Sequence, residues 1–141
     1  MRRGYTLIEL SFVLAILAAL TAATVPTYEL IMRRARAAEP RGVVQAIAHA
    51  ELRHFRDRGG YLACEATGDL PTTPVPFPNA VPCWRELGVQ MTGDVRYRYE
   101  VRLDGDSYVV TAEGDLDQDG VIARFTLSGR DLALSIEDEL E

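Results

Sequence analysis

The sequence predicts an α+β fold: a long N-terminal helix, apolar in its first half and amphipathic in its second, packed on a four-stranded antiparallel β-meander. Three observations predict it. Residues 10–25, "LSFVLAILAALTAATV", are apolar apart from Ser11, Thr21 and Thr24. Val44, Ile47, Ala48, Leu52 and Phe55 recur at helical spacing and form one apolar stripe. In 95–103, "VRYRYEVRL", apolar and charged residues alternate with period two, the pattern of a half-buried strand.

Taken in order, the elements follow from local chemistry. With Tyr5 to Ile8 added, the apolar run reaches about 21 residues, the length at which a helix crosses a bilayer core. Pro26 removes one backbone hydrogen bond and loosens the helix there. The helical signal continues through "TYELIMRRARAAEPRGVVQAIAHAELRHFRDR", which is rich in Ala, Arg, Glu and Leu, with a second weak point at Pro40 and Gly42. Gly59 and Gly60 stop it. Residues 5–57 thus read as one gently broken helix, about 80 Å long at 1.5 Å per residue. The second half needs a partner surface for its stripe.

Residues 58–93 are a connector. Five of the seven prolines fall in "PTTPVPFPNAVP" (71–82), so a regular element is not expected there, and "CWRELG" (83–88) suits one helical turn. In the strand over 95–103, Val95, Tyr97, Tyr99, Val101 and Leu103 face one way, and Arg96, Arg98, Glu100 and Arg102 the other. "DGD" (104–106) is a hairpin turn, "SYVVTAEG" (107–114) the returning strand, "DLDQDG" (115–120) a loop, and "VIARFTLS" (121–128) and "DLALSI" (131–136) two further strands. Short connections make the sheet an antiparallel meander, whose apolar face can bury the helical stripe. "EDELE" (137–141) is a solvated tail.

Net charge is −6, but unevenly spread: residues 1–60 hold nine arginines against five acids, and 61–141 six against sixteen. The acidic C-terminal half argues against a nucleic-acid-binding head. Cys64 and Cys83 are the two cysteines. An even count downstream of an export-type segment fits one disulfide in an oxidising compartment, with two unrelated thiols as the alternative. His49 and His54, five apart on a helix, do not share a face as a metal pair must. Trp84 is most simply a packing residue. No Ser/His/Asp set, Cys/His pair or Gly-rich phosphate loop occurs, and no catalytic site is expected.

Glu9 is the anomaly in the apolar run. A charge at the centre of a lipid-facing helix costs roughly 2.5–3.5 kcal/mol, so it stays out of lipid or has a partner there. Before it, Met1-Arg2-Arg3-Gly4 is a short basic leader ending in glycine, and "GYTLIEL" runs into the helix. This start resembles the class III signal of type IV pilins and of the related pseudopilins of type II secretion. The resemblance is specific over residues 4–28 and continues as architecture to the end of the chain. It implies that a membrane prepilin peptidase cuts between Gly4 and Tyr5 and that Tyr5, an aromatic where the family usually has Phe, is N-methylated. Glu9, fifth after the cut, matches the family's glutamate. Pro26 and Tyr28 match its helix-loosening proline and the tyrosine two residues on. Cleavage frees an α-amino group on Tyr5, and a carboxylate paired with an ammonium is far less costly in lipid than a lone one. The resemblance thus implies that Glu9 of an incoming subunit meets the amine of its neighbour. Alanines at 15, 18, 19, 22 and 23 would allow close approach of helices.

The organisation expected is a leader (1–4), a transmembrane and filament-core helix (5–29) and a pilin-like head (30–141) with its sheet over 94–136. The function expected is a non-enzymatic structural subunit of a type IV pilus serving adhesion, motility or DNA uptake. Its partners would be copies of itself or related pilins, the peptidase/N-methyltransferase, and the inner membrane with its assembly platform. It would be stored in the inner membrane and then sit in an extracellular pilus. A type II secretion pseudopilin, in a periplasm-spanning pseudopilus, is the alternative; a monomeric membrane-tethered periplasmic binding module is an alternative of another class. An ordinary secretory signal or plain anchor has no use for Glu9 or for a glycine cut ahead of the apolar run. Asp115, Asp117 and Asp119 with Gly120 match the front of a calcium loop, but Thr126 stands where an EF-hand supplies its glutamate. Calcium is therefore the one cofactor considered, against a solvated acidic turn.

Overall fold

The structure, a computed structural model, describes residues 6–115, 118 and 120–138. Its elements are helix α1 (Leu7–Arg58), β1 (Val75–Pro76), α2 (Pro82–Leu87), β2 (Asp94–Val95), β3 (Arg98–Asp104), β4 (Ser107–Gly114), β5 (Ala123–Ser128) and β6 (Leu134–Glu137). The chain forms two compact units, one ending at Ala35 and one running from Arg36.

In the second unit the expected α+β architecture is present. Strands β3, β4, β5 and β6 are neighbours in that order, all antiparallel. Ala37, Pro40, Val44, Ile47, Ala48 and Glu51 are buried along the helix, at the spacing of a single face. Tyr99, Val101, Tyr108, Val110, Phe125 and Leu127 are buried on the sheet. Each fully buried aliphatic or aromatic side chain contributes about 1.5–3 kcal/mol. Tyr108 ties the layers together, because its hydroxyl donates to the Ala48 carbonyl at 3.0 Å. Burial first, then Tyr61 and Glu51, pushes that phenol up to about 12.

The outer face of the sheet carries the charges. Arg98, Glu113, Arg124 and Glu137 stand directly opposite one another across the four strands. Glu113 accepts from Arg98 at 2.8 Å and Arg124 at 3.0 Å, and Arg124 lies 3.6 Å from Glu137. Burial works against the ionised Glu113, yet the two guanidiniums hold its carboxyl below the ordinary range. A slip of one residue would set this alternating ladder against the core, so it helps fix register.

Several expectations need correction. Leu103, expected on the buried face, is 51% exposed, because β3 runs past the core at its hairpin end. Phe55, expected in the stripe, is 45% exposed and instead stacks on Tyr61 at 4.6 Å. Val95 belongs to β2 rather than to the main strand, and β2 pairs with β1 inside the proline-rich stretch expected to lack regular structure. The φ of proline is compatible with extended backbone at a sheet edge, so Pro76 can sit in a two-residue ladder. β5 begins at Ala123 and β6 at Leu134, each later than expected. Before β6, Asp131 accepts the Ala133 amide in a tight turn.

The connector is held from both ends. Cys64 and Cys83 are bonded, with Cα atoms 5.6 Å apart. Cys64 exchanges both backbone hydrogen bonds with Val101 of β3. Cys83 lies in the first turn of α2, whose Trp84 and Leu87 are buried. Trp84 packs against Phe77 and is a core residue, as expected. Gly88, at φ 70°, ends α2 in the left-handed conformation that favours glycine.

Candidate functional site

The first unit is helical from Leu7. Thr6 caps it, since its hydroxyl accepts the Glu9 amide at 3.3 Å while its carbonyl accepts from Leu10 at 3.1 Å. Thr6 and Glu9 therefore stand at the N-cap and third helical positions, the T-x-x-E spacing of a capping box. Glu9 also lies in the first turn, where the helix dipole favours a carboxylate. The sequence carried this signal, and it gives Glu9 a local role beside the one the resemblance implies.

From there the helix is apolar on every side. Leu7, Ile8, Phe12, Leu14, Ile16 and Leu20 are all more than half exposed. A helix apolar all round is stable only when surrounded by apolar material. Its hydroxyls are already adapted to such surroundings. Ser11 donates to the Ile8 carbonyl, Thr21 to Leu17 and Thr24 to Leu20, each at 2.8 Å. A hydroxyl bonded to its own helix is spared the cost of entering a low-dielectric medium unpaired. Among the described side chains from Leu7 to Thr24, this leaves Glu9 as the group that still needs a polar partner to be buried. Among the described residues no helix is long and apolar enough to cross a membrane.

Of the predicted site residues, Cys64 and Cys83 are brought together, and the others are described only in part. Gly4 and Tyr5 lie outside the described residues, as do Asp117 and Asp119. Pro26 falls within α1. Asp115 is described, and both its oxygens are engaged: Oδ1 accepts the Gln118 amide at 2.8 Å and Oδ2 the Gly120 amide at 3.2 Å. Among the described residues no group of three His, Cys, Asp or Glu could hold a metal ion.

Two features were missed by sequence reasoning. Glu51 is fully buried, with Oε2 accepting the Leu62 amide at 3.0 Å and Oε1 without a hydrogen-bond partner among the described residues. Burial raises its pKa against the opposing effects of the Leu62 amide and His54. Its position was readable, because residue 51 continues the 44, 47, 48 stripe. The second is Glu39, which accepts the Arg96 amide at 2.8 Å, the Arg96 guanidinium at 3.2 Å and the Tyr99 hydroxyl at 3.4 Å. That cluster fastens the helix to the start of the sheet.

Comparison with known proteins bears on the N-terminus alone. Residues 1–25 match the family model described as a prokaryotic N-terminal methylation motif. No curated protein and no solved structure matches the chain. The leader, the capped helix start and the apolar run with its single carboxylate are thus a prokaryotic N-terminal methylation motif, the signal of type IV pilins and pseudopilins.

Proposed function

We propose that this protein is a structural filament subunit of a type IV pilus, cut between Gly4 and Tyr5, N-methylated on Tyr5 and polymerised from the inner membrane. The observation that carries the reading is the state of the apolar helix: its hydroxyls are satisfied internally and Glu9 is the exception. Residues 10–25 are apolar apart from Ser11, Thr21 and Thr24, and on this reading that segment is the membrane store before assembly. In a bundle of copies, a freed amine on each Tyr5 supplies the cation that Glu9 lacks within its own helix. Pairing of the two sets neighbouring helices in one register and lowers the cost of burying both charges. Pro26 loosens the helix beyond the packed segment. The compact unit from Arg36, stapled at Cys64–Cys83, is the head of the subunit.

A second reading is a pseudopilin of type II secretion, because the N-terminal methylation motif is shared by pilins and pseudopilins.

Glu9→Val tests the reading in a host that supplies the peptidase and assembly platform. Membrane levels of the protein should hold while sheared filaments disappear. Filament yields equal to those of the unsubstituted chain would overturn it. Imaging of whole cells separates the two readings, since only a pilus projects from the surface.

A further inference from the structure

The unit from Arg36 onward contains a pocket of about 200 Å³ lined by Arg36, Pro71, Thr72, Thr73, Pro74 and Arg96. A single water occupies about 30 Å³ of liquid, so the space suits a polyatomic group. Arg36 is exposed, and no carboxylate among the described residues pairs with it. Arg96 is held by Glu39 through its backbone amide and one guanidinium nitrogen, which fixes the side chain and leaves further donors on the fork. The opposite wall is stiff, because Pro71 and Pro74 restrict the backbone that carries Thr72 and Thr73. The Gln118 side-chain amide anchors that wall, its Nε2 donating to the Thr72 carbonyl at 3.3 Å.

We propose that this pocket binds a phosphate-type oxyanion, with Arg36 and Arg96 as its cations and the two threonine hydroxyls as neutral donors. Two guanidinium forks and two hydroxyls offer more donors than the two oxygens of a carboxylate use, and they match the three or four oxygens of a phosphate. The lining holds two cations and no carboxylate, and Glu39, 3.2 Å from Nη1 of Arg96, offsets only part of that charge. Two sources share the chemistry, free phosphate and the phosphodiester of a lipid headgroup. Arg33, Arg34 and Arg36 follow the apolar run closely in sequence, where basic residues meet anionic headgroups. Only the headgroup source rests on the membrane reading above.

The test uses the full chain in phosphate-free maltoside micelles, titrated with inorganic phosphate at constant ionic strength and followed by backbone amide NMR. A saturable shift of the Thr72, Thr73 and Arg96 amides is expected. Arg36→Gln should weaken it at least about tenfold while leaving the fold unchanged, since the Glu39–Arg96 pair stays intact. Arg96→Gln should abolish binding but also loosens that pair, so Arg36→Gln is the deciding variant. In vesicles of phosphatidylglycerol without free phosphate, the same amides should sit at their bound positions, and in phosphorus-free glycolipid vesicles they should not. Binding of free phosphate without the vesicle effect assigns the site to soluble phosphate and leaves the membrane reading untouched. No saturable shift in either arm, equal binding by Arg36→Gln, or capture of the acidic peptide Glu-Asp-Glu-Leu-Glu in place of phosphate would overturn the proposal.

Discussion

Gly129→Ala is predicted to destabilise the head through one side chain. A methyl group at position 129 would lie 2.6 Å from Cδ1 and Cε1 and 2.8 Å from Cζ of Tyr108. Real carbon contacts do not come so close, so the ring or the turn must move. The ring has little freedom: Tyr108 is fully buried, its hydroxyl is fixed on Ala48 and Tyr61 packs against it at 4.7 Å. The turn is tied as well, because the Gly129 amide donates to the Tyr108 carbonyl at 2.8 Å. Overpacking of this kind costs about 1–3 kcal/mol. At roughly 4 °C per kcal/mol for a domain of this size, the melting temperature should fall by about 4–12 °C. The assay is thermal unfolding by near-ultraviolet circular dichroism in micelles, for Gly129→Ala, Tyr108→Leu and the double variant. Removing the ring relieves the clash, so the double variant should be about 1–3 kcal/mol more stable than the sum of the singles implies. Additive losses, or a neutral Gly129→Ala, would refute the claim that a rigid Tyr108 joins helix to sheet.

Three further outcomes follow from the described contacts. Replacing Cys64 and Cys83 by serine opens a crosslink of sequence separation 19 and should cost about 3 kcal/mol in urea unfolding, with protection from exchange lost first at α2. Glu113 and Glu51 should pull stability in opposite directions with pH. The folded pKa of Glu113 is depressed, so its contribution is complete above the ordinary value of 4.5 and disappears as pH falls through the folded value. The folded pKa of Glu51 is raised, so stability declines as pH climbs from 4.5 through that higher value. Glu113→Gln should therefore flatten the acid limb of a stability–pH curve, and Glu51→Gln the limb above it. Thr6→Ala should cost about 1 kcal/mol at the helix start, seen as faster amide exchange at Leu7–Leu10 with the head unaffected.

The fold was legible wherever periodicity was strong. The stripe through Val44, Ile47 and Ala48 and the alternation through Tyr97, Tyr99 and Val101 are patterns of burial, and the buried residues match them. Leu103 and Phe55 failed because each sits at the end of its pattern, where the partner layer runs out. The β1–β2 ladder was hidden because proline content speaks against strands, while two residues at an edge escape that objection. Glu39, and the partner of Glu51 though not its position on the stripe, were hidden for another reason. Each glutamate is a polar residue whose worth depends on a distant partner, Arg96 in one case and the Leu62 amide in the other, and no local pattern reveals such a pairing. At the N-terminus the leader glycine, Glu9 and the Thr6-x-x-Glu9 spacing were readable from sequence, and the helix start adds the bond from the Glu9 backbone amide to the Thr6 hydroxyl.

The most direct test of the account is the identity of the first residue of the membrane-extracted protein, made in a host with a prepilin peptidase and read by intact mass and N-terminal sequencing. The account predicts a chain that has lost Met1–Gly4 and begins with N-methylated Tyr5. A chain that keeps its first four residues, or one that begins beyond the apolar run, would contradict it.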